Sequence, residues 1–168
     1  MAGTVLLIPP ATQAPHPRER AEGEVLKGLE IRIGPLTFLA RWESEKAPKT
    51  CEAIRALLPI EAKALHARWS GECAWAPIDE IPLQPEFENA TCYPAPGEFL
   101  LYPGGFSERE FLFPYGSANF ASKLGQLAGN HFATVIKGQE RLPEMGRMVL
   151  WLGAQDLVIR EIKLPNEE

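Results

Sequence analysis

The segment Ala47–Pro59 constrains the fold most, because it is the clearest helix in the chain. Pro48 suits a first helical position, where its missing N–H costs nothing. Apolar residues recur at helical spacing from Cys51 to Leu58 and form one stripe. Pro59 cannot continue a helix and disfavours helical geometry at Leu58, so the helix is predicted to end there. An amphipathic helix of about three turns is not stable alone and must cover an apolar surface.

The segments around this helix alternate between apolar and polar residues, which is the pattern of half-buried strands. Leu29–Ile33 and Leu36–Trp42 predict a hairpin with a Gly-Pro turn. Further strands are predicted at Ile60–Ile78 (two strands), Glu98–Tyr102, Glu110–Pro114, His131–Ile136 and Leu157–Ile162. Glu144–Leu152 predicts a second helix, and Gly116–Gly129 a loop or short helix.

Short strands and few helices predict a mainly β protein. A closed or nearly closed antiparallel barrel with one or two capping helices fits best, because closure leaves no sheet edge exposed. At 168 residues the chain predicts one barrel domain, residues 29–168, after an extended N-terminal arm, residues 1–28. Within the arm, Val5–Ile8 is apolar enough to dock as an edge strand, on this chain or on a neighbour. The alternative is a tail ordered only by contacts.

Charge and cysteine usage exclude several function classes. The net charge of −5 argues against nucleic acid and anionic membranes as partners. Val5–Ile8 is too short for a membrane span or a signal sequence, so a cytoplasmic protein is predicted. Three widely spaced cysteines without a Cys-x-x-Cys motif indicate free thiols in a reducing compartment. No metal-ligand spacing and no nucleotide or hydrolase motif occurs, so neither a metal nor a cofactor is predicted.

Several stretches resemble cyclophilins, in the same order along the chain. Pro48–Leu57, Pro-Lys-Thr-Cys-Glu-Ala-Ile-Arg-Ala-Leu, is similar to the cyclophilin helix Pro-Lys-Thr-Ala-Glu-Asn-Phe-Arg-Ala-Leu. Pro96–Leu100 resembles a Pro-Gly-x-Leu strand, and Gly129–Gly138 resembles a Gly-Lys-His stretch. The Trp-Ser-Gly-Glu and Tyr-Pro-Gly-Gly runs look closer to an uncharacterised bacterial group of that superfamily, a family of unknown function.

The resemblance implies a ligand groove on the outer wall of the barrel. Its candidate lining residues are His66, Arg68, Tyr102, Phe111, Phe113 and His131. His66 and Arg68 fall on one face of a predicted strand and could bind an anion such as a carboxylate. Structural roles are the alternatives: Arg68 as a surface cation paired with Glu72, His131 as a histidine bonded to a loop carbonyl, and the aromatic residues as barrel core.

Three functions follow from these residues. The first is binding of a small organic or peptide-like ligand in the cyclophilin groove, with that small molecule or short peptide as partner. The second is prolyl isomerisation, which needs a cation near the proline nitrogen to lower a barrier of about 18–20 kcal/mol. Arg68 stands one residue from the cyclophilin arginine, and Glu110 replaces its glutamine. The third is homo-oligomeric assembly through Val5–Ile8 and the loop Asp79–Gly97.

Overall fold

The structure is a computed structural model that describes residues 26–165. The strands in this range are β1 (Lys27–Ile33), β2 (Leu36–Trp42), β3 (Ile60–His66), β4 (Gly71–Pro77), β5 (Ala90–Thr91), β6 (Glu98–Tyr102), β7 (Glu110–Ala118), β8 (Ala121–Ser122), β9 (Gly125–Gln126), β10 (Gly129–Lys137) and β11 (Gln155–Lys163). The helices are α1 (Pro48–Arg55), a 3₁₀ helix at Gln139–Arg141 and α2 (Leu142–Trp151). The predicted arm lies almost wholly outside the described residues, as does Val5–Ile8.

Eight strands close into an antiparallel barrel, which confirms the predicted fold class. Nine strands form one sheet in the order β2-β1-β11-β3-β4-β7-β6-β10-β5. An additional pairing of β2 with β10 joins the ends of the first eight strands into a ring, and β5 adds to β10 outside it. No helix within residues 26–165 has the length and apolar character needed to cross a membrane.

The barrel interior is filled by aromatic rings from three neighbouring strands. Phe99 of β6 lies 5.1 Å from Phe113 of β7 and 5.0 Å from Phe132 of β10, measured between ring centroids. Phe111 completes the group at 5.3 Å from Phe99. Strand side chains alternate between two faces, so these positions all point inward. The predicted strand Glu110–Pro114 therefore supplies two of the four rings, Phe111 and Phe113.

Helix α1 packs its apolar side into this core, as predicted, but it ends at Arg55 and not at Leu58. Cys51 and Ile54 are buried, whereas Leu57 and Leu58 are only partly buried. Tighter backbone bonds from Leu57 to Ile54 and from Leu58 to Arg55 form the last turn, because the residue before a proline avoids helical geometry.

A second, smaller cluster lies on the outer face of the barrel wall. It contains Ala67, Cys73, Leu100, Tyr102, Leu112, Phe120 and Leu127. Leu100 and Leu112 are each adjacent in sequence to a phenylalanine that points inward, so they themselves point outward. The segment Gly116–Gly129, predicted as a loop or short helix, instead continues β7 and forms the β8–β9 hairpin. It is extended because Phe120 and Leu127 cover the outer face of the sheet.

Candidate functional site

A cleft of about 110 Å³ opens beside the outer cluster. It lies between the β3–β4 turn, strand β4, the segment that enters β7, and the β8–β9 hairpin. Its lining residues are Ala67, Arg68, Trp69, Ser70, Trp75, Ser107, Glu108, Glu110, Ala121, Ser122 and Lys123. The cleft lies on the outer wall of the barrel, and its lining differs from the predicted set.

Ser70 ties two walls of the cleft together. Its hydroxyl donates to the backbone carbonyl of Ala121 at 3.1 Å and accepts the Ala121 N–H at 3.2 Å. The backbone carbonyl of Ser70 accepts the N–H of Asn119 at 3.1 Å. Gly71 follows with a φ of +85°, and a Cβ there would lie 2.7 Å from the Ser117 carbonyl oxygen. The turn therefore needs a small buried hydroxyl residue followed by glycine.

Glu110 forms the acidic floor of the cleft. It is the first residue of β7, paired across the sheet with Pro77 and Tyr102, and it is 7% exposed. Burial, together with the nearby charges of Glu108 and Asp79, raises the pKa of the Glu110 carboxyl to about 8. No hydrogen-bond donor from residues 26–165 offsets this rise. At neutral pH the group is therefore mostly a neutral carboxylic acid.

The rim of the cleft is charged and aromatic. Glu108 is exposed, and its own backbone N–H and the Ser107 hydroxyl, at 2.8 Å, hold the pKa of its carboxyl below the ordinary value. The positive charges of Lys123 and Arg68 act in the same direction. Trp69 is 56% exposed, although aromatic side chains of this size are usually largely buried. Two carboxyl groups with opposite pKa shifts thus lie two residues apart in one cleft.

A second cavity, of about 440 Å³, lies where β2 meets α1. Its lining includes Arg41, Trp42, Glu43 and Arg55. The charges there are largely paired: Arg41 lies 3.1 Å from Glu43, and Arg55 bonds Glu161 at 2.7 Å and stacks 4.5 Å from the Trp42 ring centroid. The Trp42 indole N–H is the one buried side-chain polar atom among residues 26–165 without a partner. Because Arg41, Glu43 and Arg55 are paired within the protein, this cavity is the weaker candidate.

His131 belongs to a hydrogen-bond chain near this second cavity. Its Nε2 lies 2.8 Å from the Thr134 hydroxyl, which donates to Glu43 at 2.6 Å. Burial alone would raise the pKa of Glu43, but the Thr134 hydroxyl and the charges of Arg41, His131 and Lys46 outweigh burial and lower it. The side chain of His131 thus bonds a hydroxyl and not the loop carbonyl that the structural alternative supposed.

Two of the other predicted residues, His66 and Arg68, do not share a strand face. Strand β3 ends at His66, whose Nδ1 lies 3.1 Å from the Tyr115 hydroxyl, and Arg68 follows in the turn. Arg68 is exposed and lines the cleft, whereas Glu72 accepts the Ser117 N–H and does not pair with it. The shared strand face from which the anion site was predicted is therefore absent for these two residues.

The three predicted aromatic residues are buried. Phe111 and Phe113 belong to the barrel interior, and Tyr102 belongs to the outer cluster. The Tyr102 hydroxyl accepts the Phe106 N–H at 3.0 Å. Of the six predicted residues only Arg68 lines the cleft, and Tyr102 lies beside its floor as the strand partner of Glu110.

Sequence reasoning missed Glu110, Trp69, Trp75 and Lys123 as lining residues. The sequence does contain a feature that points to Glu110: this acidic residue directly precedes the apolar run Phe-Leu-Phe-Pro. The Trp-Ser-Gly-Glu run also contains the turn that builds one wall. Among the described residues no group of three potential metal ligands occurs. The buried thiols are poor nucleophiles, because burial raises the pKa of Cys51 to about 11 and that of Cys73 to about 12.

Solved structures share the fold, among them those of McbB and AF2241. The structure of McbB in complex with tryptophan matches with a TM-score of 0.62 and 19% identity over 83% of this chain. This chain spans about half of that protein, 46% of its length. The solution structure of the hypothetical protein AF2241 from Archaeoglobus fulgidus matches with a TM-score of 0.55 and 20% identity, over 84% of this chain and 98% of that one. Identities this low establish the fold alone.

No curated protein matches the sequence. A family model described as a protein of unknown function, DUF3830, matches residues 29–160, which is nearly the whole barrel. The chain therefore belongs to the DUF3830 family.

Proposed function

We propose that this chain is a cyclophilin-like protein that binds a small organic or peptide-like ligand, and that the ligand occupies the cleft over Glu110. The observation that carries the proposal is the Glu110 carboxyl group, 7% exposed and without a partner in the described protein. The carboxyl group is thus largely removed from water, and no donor from residues 26–165 replaces the hydrogen bonds that it has lost. A ligand that hydrogen-bonds this group would supply them, which favours binding at this cleft.

The fold supports a small molecule as the ligand. McbB, which shares the barrel, was solved in complex with tryptophan. Because one fold hosts many functions, the residues of this chain decide which ligand it takes. Trp69 and Trp75 supply flat apolar surface at the rim and wall, and Glu110 supplies a hydrogen bond at the floor. The cytoplasmic location and the absence of nucleic-acid and membrane partners belong to the same proposal.

A ligand screen tests this proposal. Intrinsic tryptophan fluorescence would be followed while metabolites and proline peptides are added at up to millimolar concentration. We expect at least one ligand whose affinity falls tenfold or more in Glu110→Leu and in Trp69→Ala. Glu86→Gln is the matched control, because Glu86 is 80% exposed and lies away from the cleft lining. Ligands that bind both cleft variants as tightly as the parent protein would contradict the proposal.

One observation favours self-assembly as a second candidate function. Leu150, Trp151 and Leu152 are consecutive at the end of α2 and are 47%, 78% and 75% exposed. Monomeric proteins rarely leave such apolar surface uncovered. Light scattering of the full chain and of Trp151→Ser would decide: self-association lost in the variant supports it, and a monomer in both refutes it.

The isomerase alternative has less support. Phe111 and Phe113, predicted to line a pocket that could hold a proline ring, are 1% and 2% exposed. A protease-coupled proline-peptide assay tests it, and a rate equal to the uncatalysed background would end it.

A further inference from the structure

We propose that the cleft selects an organic ammonium ion, a ligand whose protonated amine lies against the Glu110 carboxyl while its ring lies against Trp69 and Trp75. The inference rests on the proposed function and names the chemical class of its ligand. Three observations carry it: the sign of the local charge, the lack of an ion pair between Glu110 and any cation of residues 26–165, and the aromatic surface beside it.

The first observation is the charge around Glu110. Asp79, from the segment after β4, and Glu108, two residues before Glu110, both place negative charge near the carboxyl group. Burial is the largest cause of the raised pKa of Glu110, about 8, and the charges of Glu108 and Asp79 add to it. Burial disfavours an unpaired carboxylate, so the group keeps a proton unless a cation such as an ammonium group pairs with it.

The second observation is that no cation among residues 26–165 forms an ion pair with Glu110. Arg109 is occupied by Asp79: its backbone N–H bonds Asp79 Oδ1 at 3.0 Å, its Nε lies 3.4 Å from the same oxygen, and its Nη2 bonds the Asp79 carbonyl. Lys123 and Arg68 act on Glu108 at the rim. The Cys73 thiol, also near Glu110, is neutral because burial raises its pKa to about 12. These are the charged and titratable groups that act on Glu110 or on its immediate neighbours: Asp79, Glu108, Arg109, Arg68, Lys123 and Cys73.

The third observation is the aromatic surface. Trp69 is 56% exposed at the rim, and Trp75 is partly buried in the wall of the same cleft. The face of an indole ring attracts cations by about 0.5–2 kcal/mol and also stacks on flat rings. A flat organic amine uses both properties, whereas an inorganic cation uses only one.

Binding of such a ligand is coupled to proton release. The ammonium group keeps its own proton and forms an ion pair with the Glu110 carboxylate, and the proton that leaves Glu110 goes to the buffer. With a pKa of about 8, roughly nine-tenths of Glu110 is protonated at pH 7. Close to one proton per bound ligand is therefore expected at that pH. The association constant should rise by nearly tenfold between pH 6 and pH 7, because Glu110 ionises more easily as the pH rises.

Calorimetric titration with three indole probes tests the inference. Tryptamine carries an amine and no carboxylate, tryptophan carries both, and indole-3-propionate carries only a carboxylate. Titrations in two buffers of different ionisation enthalpy at pH 7 give the number of protons released. We expect tryptamine and tryptophan to bind with release of nearly one proton and indole-3-propionate to bind at least tenfold more weakly. Glu110→Gln, which keeps the shape and removes the charge, should weaken tryptamine tenfold and abolish proton release, and Glu86→Gln should change neither.

Several results would overturn the inference: no tryptamine binding at millimolar concentration, tryptamine binding without proton release, or unchanged tryptamine binding in Glu110→Gln. Equal binding of indole-3-propionate would overturn it as well. If that binding is weakened by Trp69→Ala, the cleft remains a ligand site and only the ammonium preference fails. The proposed function fails separately, when the wide screen finds no ligand that depends on the cleft.

Discussion

The interior of the barrel and its outer face beside the cleft are built from the same strands, one residue apart. On β7, Phe111 and Phe113 point inward and are closed in by other rings, whereas Glu110 and Leu112 point outward. The interior core cluster consists of apolar side chains, and the cavity among them is only about 10 Å³, too small for a ligand. The outer face is only partly covered by the β8–β9 hairpin, and the uncovered part holds an acid and two tryptophans. Alternation thus separates the residues that hold the fold from those that can bind.

The largest expected effect lies in the interior. Phe113→Ala removes a ring that packs at 5.1 Å from Phe99 and 5.4 Å from Phe38. We expect the free energy of unfolding to fall by about 3–5 kcal/mol, because a cavity remains in a closed core. Urea denaturation measures it, with Leu150→Ala, at a 47% exposed position, as the control truncation. Equal losses in the two variants would show that the interior is not the stabilising region.

The next effect is the pH dependence of stability contributed by Glu110. Its pKa rises from an ordinary value of 4.5 to about 8 on folding, so its contribution is complete below pH 4.5 and is lost as the pH rises through 8. We expect the parent protein to lose about 2–4 kcal/mol relative to Glu110→Gln between pH 5 and pH 9. Denaturation curves of both proteins across this range give the difference. A constant difference would mean that Glu110 is solvated in the folded state.

A smaller effect is expected at the glycine that shapes the outer face. Gly71→Ala places a Cβ 2.7 Å from the Ser117 carbonyl oxygen at a φ of +85°. We expect a loss of about 1–3 kcal/mol and weaker ligand binding, because the turn that carries Trp69 must shift. Thermal denaturation and the fluorescence screen report the two effects. Gly105→Ala is the comparison, since a Cβ there meets no atom within 4 Å at a similar φ of +103°. Similar losses of stability and binding in the two variants would show that the short distance between the Gly71 position and the Ser117 carbonyl oxygen does not matter.

The smallest effect on stability is expected at the rim. Trp69→Ala should change the free energy of unfolding by less than about 0.5 kcal/mol, because the side chain is 56% exposed. Ligand affinity should nevertheless fall tenfold or more, which separates binding from folding. A loss of stability comparable to that of Phe113→Ala would remove the distinction between the two faces.

The sequence predicted much of the framework. Strand β6 has the predicted bounds, and the hairpin of β1 and β2 differs by two residues at its start. These segments alternate clearly and are bounded by turn residues. The β8–β9 region was missed because apolar and polar residues do not alternate regularly in Gly116–Gly129. Its extended form depends on the burial of Phe120 against the outer face of the barrel.

The candidate site was predicted less well, because it depends on which face each residue occupies. One-residue shifts decide this, and the structure contains pairing irregularities between Gly71 and Cys73 and between His131 and Ala133. Strand β3 also ends at His66, so Arg68 does not lie on the strand face that it was predicted to share with His66. Phe111 and Phe113 were placed in a groove but face the interior.

By itself the sequence determined the individual strands and the short helix that covers the core. Those features follow from local period, proline positions and the apolar stripe, all of which are encoded within a few neighbouring residues. Only the tertiary structure decided that Glu110, Trp69 and Lys123 share one cleft, because their proximity depends on strand pairing between segments distant along the chain. Burial by those distant segments also sets the pKa of Glu110, a property that no single stretch of sequence contains.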